Sequence, residues 1–301
     1  MSKFSLDRKT LLAHGAMILA MVIVGLMPPF SKDAMNSGIT GVQMATLRIC
    51  GSAILYWVIS LFAPKEHLAK KDYALILVAS IFGIIGAQGG LMLGISRTSP
   101  INAAMEISTQ PIFALILAAI VLHEKVSVKS ALGVTLGFAG AAILIFLNTG
   151  SGTKSSSIVG DAIVLGSQAS FAFYLTFFGK RIKKFGLITF NRWLFTFASL
   201  LLLPFTFTDM MALDVSSISA KTFAEIGYIV FFCTFFIFVL LFYCQRKLSS
   251  TVISTYNYLQ PFVAVIASLL MGLAVLCPQH ILSGVLIFTG VGLVISKKKP
   301  Q

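Results

Sequence analysis

The sequence predicts an all-α integral membrane protein: ten transmembrane helices forming two inverted five-helix repeats. Three observations carry this expectation: apolar stretches of spanning length along the whole chain, basic residues gathered in alternate gaps, and a faint internal match at a shift of 150 positions. Of the 301 residues, 11% are charged and 57% are apolar, and the mean hydropathy is +0.93. Water-soluble domains carry roughly 25% charged and about 45–50% apolar residues. The surplus here extends from one end to the other, so lipid is the solvent that fits.

A helix rises about 1.5 Å per residue and the hydrocarbon layer is about 30 Å thick, so about 20 apolar residues make one crossing. Five stretches in the first half meet this length, at 11–30, 42–62, 73–95, 100–122 and 130–148. Five more follow at 159–179, 189–208, 222–244, 250–276 and 280–296. The gap from Asn148 to Ser157 is rich in Gly and Ser and reads as a linker in water, dividing a first repeat, 1–150, from a second, 151–301. The opening, Lys3 to Thr10 before an apolar run, imitates a secretory signal. The run lasts a full span to Pro28-Pro29 with no A-x-A-like cleavage site, so it reads as a retained first helix.

With the N-terminus inside, the inner segments hold 17 of the 23 lysines and arginines and the outer segments hold 4, Lys32, Arg97, Lys154 and Lys221; Arg48 and Arg192 fall within spans. Basic residues favour the cytoplasmic side, which places both termini in the cytoplasm of a multi-pass protein of the cell (inner or plasma) membrane. Their scatter in short gaps also accounts for the net charge of +13 without any groove for nucleic acid, which is not an expected partner. The four cysteines share no C-x-x-C or other metal-ligand spacing, so neither a metal nor a cofactor is expected.

Shifting the chain by 150 positions sets Thr109-Gln110-Pro111 against Leu259-Gln260-Pro261, Ser99 against Ser249, Phe138 against Phe288 and Gly140 against Gly290. Span four then matches nine, and five matches ten. An odd number of spans per half inverts the second half relative to the first, a recurring plan of secondary transporters. Gly86, Gly90 and Gly94 in span three, and Gly133 and Gly137 in span five, offer small surfaces for close helix packing.

A charge at the bilayer centre costs ~2.5–3.5 kcal/mol on insertion scales, so charges within spans call for a partner or a wet cavity. Arg48 and Glu106 each lie about six residues, or ~9 Å, from the outer ends of spans two and four. Equal depth allows either a structural ion pair or a site where an amino-acid zwitterion inserts between them. Asn102 and Gln110 flank Glu106 at i−4 and i+4 on one face, and Pro111, which has no N–H to give, is expected to kink the helix. In span nine Tyr256 and Gln260 share a face beside Asn257, with Pro261 as the matching kink. Gln88 and Tyr174 are mid-span polar groups, either bonded between helices or lining a pore. The candidate substrate or ion pathway is therefore Arg48, Gln88, Asn102, Glu106, Gln110, Tyr174, Tyr256, Asn257 and Gln260. A carboxylate in a low-dielectric site also nominates a proton, or another ion, as coupling partner. Glu124 reads as a solvated helix-end acid and Asp161 as an acid favoured by the N-terminal dipole of span six. His14, Arg192 and Trp193 read as interfacial, and Glu225 has no assignment.

In order and spacing, Pro29-Phe30 with Lys32, Arg48, Ser99-Pro100 through Ala103-Ala104 to Pro111, Glu124, Gly160-Asp161, Phe171-Ala172-Phe173-Tyr174 and Pro261 resemble the EamA-type carriers of the drug/metabolite transporter superfamily. The resemblance covers nearly the whole chain. It departs at Ala274, where a second span-closing glutamate would fall, at span seven, which has no counterpart of Arg48, and at Val24 and Phe171, where tryptophan is frequent. What it implies is the ten-helix inverted-repeat fold, a central cavity between spans one to four and six to nine, and export of amino acids, metabolites or drugs.

The expected function is thus a secondary transporter that exports a small metabolite, an amino acid or an amphipathic drug-like compound, by alternating access. Two other classes were weighed. A membrane-embedded enzyme would need clustered nucleophile, base or metal ligands, and neither H-E-x-x-H nor G-x-S-x-G occurs. A channel would need a ring of like charges, which one Glu106 supplies only through oligomerisation. The sequence lacks G-x-x-x-x-G-K-[ST], so it is not expected to drive pumping with ATP.

Overall fold

The computed structural model describes residues 8–64, 66–121, 123, 127–147, 157–182, 184–237, 240, 241, 244, 256 and 259–295. Among the described residues there is helix and no strand. Among the described residues six helices are long and apolar enough to cross a membrane, Leu11–Asn36, Gly41–Ser60, Lys70–Arg97, Pro100–Val121, Ile158–Gly179 and Leu187–Met211. Shorter apolar helices lie at Val128–Ile143, Leu259–Leu270 and Pro278–Leu293. Large apolar side chains stand bare on the outside, with Phe62 84%, Phe205 82% and Leu270 83% exposed. Water would penalise that surface and acyl chains do not, and helices are the element that satisfies every backbone group without water.

The first span is made of two helices, α1 (Arg8–Gly25) and α2 (Met27–Asn36), broken at Leu26. The sequence places the end of this span at Pro28-Pro29, whereas the prolines open α2. At the first positions of a helix the missing N–H has no partner to lose and the fixed φ is already helical. Lys32, counted from sequence as an outer-loop charge, consequently sits inside a helix at 3% exposure. Its ammonium donates to the carbonyls of Ile95 and Ser96, at 3.1 Å each.

Helix α3 (Gly41–Ser60) starts at a reciprocal cap, in which Gln43 N–H donates to Thr40 Oγ1 at 3.1 Å and Thr40 N–H to Gln43 Oε1 at 2.9 Å. Helix α4 (Lys70–Ser80) widens into a π-helical stretch, Ile81–Gly89, and continues as α5 (Gly90–Arg97). Helix α6 (Pro100–Ile107), capped by Ser99, stops at Ser108-Thr109 and resumes as α7 (Gln110–Val121). Then come α8 (Val128–Leu147), α9 (Ile158–Ile182), α10 (Leu187–Met211) and α11 (Ala220–Val230). The last of these runs into a second π-helical stretch, Phe231–Phe236. Helix α12 (Leu259–Leu270) ends near Gly272, whose φ of +66° suits a residue without Cβ, and α13 (Pro278–Ile295) closes the described chain.

Positions recur. Helices α4 and α11 begin at 70 and 220, the π stretches at 81 and 231, and α8 and α13 at 128 and 278. Packing recurs with them: α3 lies on α10 and α8 on α13, while α5 with its π stretch lies on α9 as α11 lies on α2. In the same way α6 and α7 pack on α9, and α12 packs on α1. Glycine sets the closeness of these contacts. A Cβ at Gly94 would stand 2.5 Å from Val164 Cγ2, and one at Gly290 2.5 Å from the Gly133 carbonyl oxygen and 2.7 Å from the Gly137 nitrogen.

Candidate functional site

The turn between α5 and α6 brings together polar groups that the sequence separates. Ser157 N–H donates to the Arg97 carbonyl at 3.0 Å, and Gly160 approaches the same peptide so closely that a Cβ would lie 2.6 Å from its carbonyl carbon. This docking holds the first turn of α9 against Thr98 and Asn102. Asp161, 1% exposed, accepts from Thr98 Oγ1 and from Asn102 Nδ2, the latter at 3.3 Å. The sequence reading gave Asp161 only a helix-dipole role, and the structure makes it a tertiary acceptor.

One turn beyond Asn102 on α6 is Glu106, 0% exposed, and among the described residues neither carboxylate oxygen has a hydrogen-bond partner. Asn102, one turn away on the same helix, reaches Asp161 of α9. Above Glu106 the helix breaks. Ser108 and Thr109 N–H turn back to Met105 and Glu106 carbonyls at 3.1 and 3.0 Å, and Thr109 Oγ1 donates to the Glu106 carbonyl at 2.6 Å. Pro111 explains the interruption, since it cannot donate to the carbonyl four residues back. Interrupted helices beside buried acids are where carriers commonly hold ions and substrates.

Arg48, 5% exposed, does not pair with Glu106. Its Nε donates to Thr234 Oγ1 at 2.9 Å, and Nη1 is buried with no partner among the described residues. The two charges face different neighbours, because α3 packs on α10, α5 and α11 while α6 packs on α9, α12 and α2. Thr234 lies in the second π stretch and donates to the Ile229 carbonyl at 3.0 Å. Gln88 lies in the first π stretch, half-buried, with its Oε1 enclosed and unpaired among the described residues. Such stretches are frequent at functional sites.

The other candidates scatter. Gln110 begins α7 half-buried. Tyr174, 8% exposed, belongs to an apolar cluster with Ile84 and Phe178, its ring filling the space above Gly83, where a Cβ would come within 2.7 Å. Tyr256 bonds His14 Nδ1 through its hydroxyl at 2.9 Å, tying the chain before α12 to α1. The Gln260 carbonyl stands 2.8 Å from where a Gly25 Cβ would be, and Pro261 is buried in the first turn of α12. Asn257 and Glu124 lie outside the described residues. Arg192 rests over Trp57 at 4.7 Å and over Trp193 at 5.5 Å, the aromatic-cation company of a membrane interface.

None of the site residues read from the sequence lines a cavity of about 470 Å³ bounded by Phe30, Lys221, Ala224, Glu225, Tyr228 and Met271. Its residues come from α2, α11 and the turn after α12, nearly the whole chain apart. The sequence singled out Phe30 as a motif residue, Lys221 as an outer charge and Glu225 as an unassigned acid, with nothing to join them.

Fold and site together define a multi-pass helical membrane protein with buried charged groups where its helices are interrupted. The EamA-like transporter family model matches residues 11–146 and again 158–296, and the chain belongs to that family. A membrane transporter is therefore the class of the protein. An uncharacterized transporter of Archaeoglobus fulgidus is 26% identical over 259 residues, covering 85% of this chain and 89% of its own. The uncharacterized transporter YyaM of Bacillus subtilis is 24% identical over 275 residues, covering 91% and 86%. A crystal structure at 13% identity superposes with a TM-score of 0.61 over 96% of each chain, a likeness of fold.

Proposed function

We propose that the protein is a secondary transporter that exports a small metabolite, an amino acid or an amphipathic drug-like compound, by alternating access between two inverted halves. The observation that carries this reading is Glu106: an acid wholly withdrawn from solvent, lacking any donor among the described residues, beside Asp161 at the contact of α6 and α9. A charge so placed is costly unless something that comes and goes satisfies it, and a proton or a substrate ammonium can do so. Arg48, Gln88, Asn102 and Gln110 complete the proposed pathway, with Tyr174, Tyr256, Asn257 and Gln260 as its remaining candidates.

Recurrence at 150 residues supports the two halves, 1–150 and 151–301. Several helix starts, both π stretches and the packing partners repeat in or near that register, and the family model matches twice. Ten spans with both termini in the cytoplasm complete the proposal; a C-terminal reporter active only in the cytoplasm should give signal, and a signal from the far side would overturn it.

The test of function compares metabolites released by cells making the native chain and the Glu106→Ala variant. One or a few compounds should accumulate outside only with the native chain. Once a substrate is known, Glu106→Gln in proteoliposomes should lose flux driven by a pH difference while retaining substrate exchange. Undiminished pH-driven flux would remove Glu106 from coupling.

A further inference from the structure

We propose that the edge where the end of α3 meets the starts of α4 and α10 holds an anionic phospholipid, with the Arg192 guanidinium on its phosphate and the indoles of Trp57 and Trp193 beside its headgroup. The sequence holds 26 phenylalanines but 2 tryptophans, and both tryptophans are here, on two helices, with ring centroids 5.7 Å apart. An indole is apolar with one N–H, so it settles at headgroup depth rather than among acyl chains. The chain thus gathers at one place a residue type that it uses nowhere else.

Rings from three helices hold the cation. Arg192 lies over Trp57 and Trp193, and Trp193 in turn meets Tyr73 at 4.9 Å and Phe197 at 5.7 Å. Trp57 N–H donates to Thr196 Oγ1 at 2.9 Å, which fastens α3 to α10. What the cation lacks is an anion. Among the described residues Arg192 has no ion pair, and neither its Nε nor Trp193 Nε1 has a hydrogen-bond partner. The acids of this end are engaged elsewhere, Asp72 with Lys184 and Glu66 with Gly186 N–H. Segments 60–73 and 180–192 together carry eight lysines and arginines against those two acids. The guanidinium charge is therefore not balanced from within the chain. A phosphodiester balances it, since a planar guanidinium takes two phosphate oxygens at once.

The surroundings suit a lipid better than a free anion. Helix α3 turns Ser52 and Tyr56 inward and leaves Ile54, Trp57 and Val58 exposed on its other face, while α10 buries Phe195 and Ala198 and exposes Leu200. Apolar surface thus continues from the guanidinium toward the bilayer centre, where acyl chains cover it and inorganic phosphate cannot. On the other side Lys70 and Lys71 are exposed in the turn before Tyr73. Anionic lipids are enriched in the cytoplasmic leaflet, where basic pockets between helices take their headgroups. The bias of the loop charges assigns this end to that leaflet. None of these residues belongs to the pathway built around Glu106.

The experiment uses the full chain in phosphatidylcholine vesicles that contain a small fraction of lipid with brominated acyl chains, either phosphatidylglycerol or phosphatidylcholine. Bromine quenches indole fluorescence on contact, and both indoles of the chain report from this place. At equal fraction, brominated phosphatidylglycerol should be preferred by about fivefold, the effect of one basic residue at an anionic surface. Arg192→Gln should remove the preference. Lys129→Gln, at the start of α8, which packs on α13, α9 and α7, should leave it unchanged. Inorganic phosphate at matched ionic strength should not reduce it. Equal quenching by the two lipids overturns the proposal. So does an equal loss in Lys129→Gln, which would mean diffuse attraction, or reversal by inorganic phosphate, which would mean a free-anion site. The first criterion needs only the native chain and stands even if Arg192→Gln fails to fold. Failure here leaves the carrier reading intact, because that reading is tested by flux through Glu106.

Discussion

The starts of α4 and α11 hold the same position 150 residues apart, and each is tied to another segment by one ion pair with the charges exchanged. At the first, Asp72 accepts from Lys184 at 2.5 Å; at the second, Lys221 pairs with Asp33. They lie at opposite ends of the molecule, since α10 carries the chain from beside Lys184 to just ahead of Lys221. At the first end Asp72, Lys184 and Glu66 all have partners. Asp72 also accepts from Ala69 N–H at 3.1 Å, Lys184 rests over the Phe185 ring at 4.6 Å, and the Glu66 carboxylate accepts from Gly186 N–H at 3.0 and 3.1 Å. At the second end Glu225 stands where the 150-residue shift puts Leu75, and a cavity opens beside it. One position in a recurring frame thus separates an end lined by leucine from one that carries a second acid beside Asp33.

If both ends must part in turn during transport, locking either one should stop it, which is the largest effect expected. After the free cysteines Cys50, Cys233, Cys244 and Cys277 are replaced, Asp72→Cys with Lys184→Cys, or Asp33→Cys with Lys221→Cys, can be bridged by a reducible bis-methanethiosulfonate reagent. Metabolite release should fall to background in each case and recover on reduction. Loss at one end alone would break the equivalence of the two. A second test puts the acid at the closed end. Leu75 packs half-buried against the cluster around Ile76 and Tyr56, so Leu75→Glu should destabilise the protein by roughly 2 kcal/mol in detergent unfolding, the cost of an uncompensated polar group in an apolar setting. No loss of stability would mean that this end, too, has a free cation within reach.

The lipid-solvated plan was legible because hydrocarbon imposes long apolar runs, and the close contacts were legible because only glycine allows them: Gly90 and Gly94 lie against Ser167 and Val164 of α9 as small surfaces should. The break at Ser108-Thr109 was legible in Pro111. Pro28-Pro29 misled, since proline marks a boundary without saying which side of it is helical. Equal depth along two helices suggested Arg48 with Glu106, but depth fixes height and not azimuth, and the guanidinium turned to Thr234, 186 residues away. Asp161 meets Asn102 across 59 residues and Glu225 meets Asp33 from the far half. Pairs like these depend on which helices pack together, and no local pattern encodes that.

The smallest expected effect is also the sharpest comparison: Glu225→Leu, which makes the open end resemble the closed one. Asp33 and Lys221 would remain as a matched pair, and an acid with no partner on Oε2 would give way to an apolar side chain beside Phe30 and Tyr228. Replacing buried charge by a well-packed hydrophobe is often stabilising by about 1 kcal/mol or more, so thermal unfolding should move up by a few degrees. Stability that falls instead would mean that the contact between Glu225 and Asp33 holds this end as Lys184 holds Asp72 at the other.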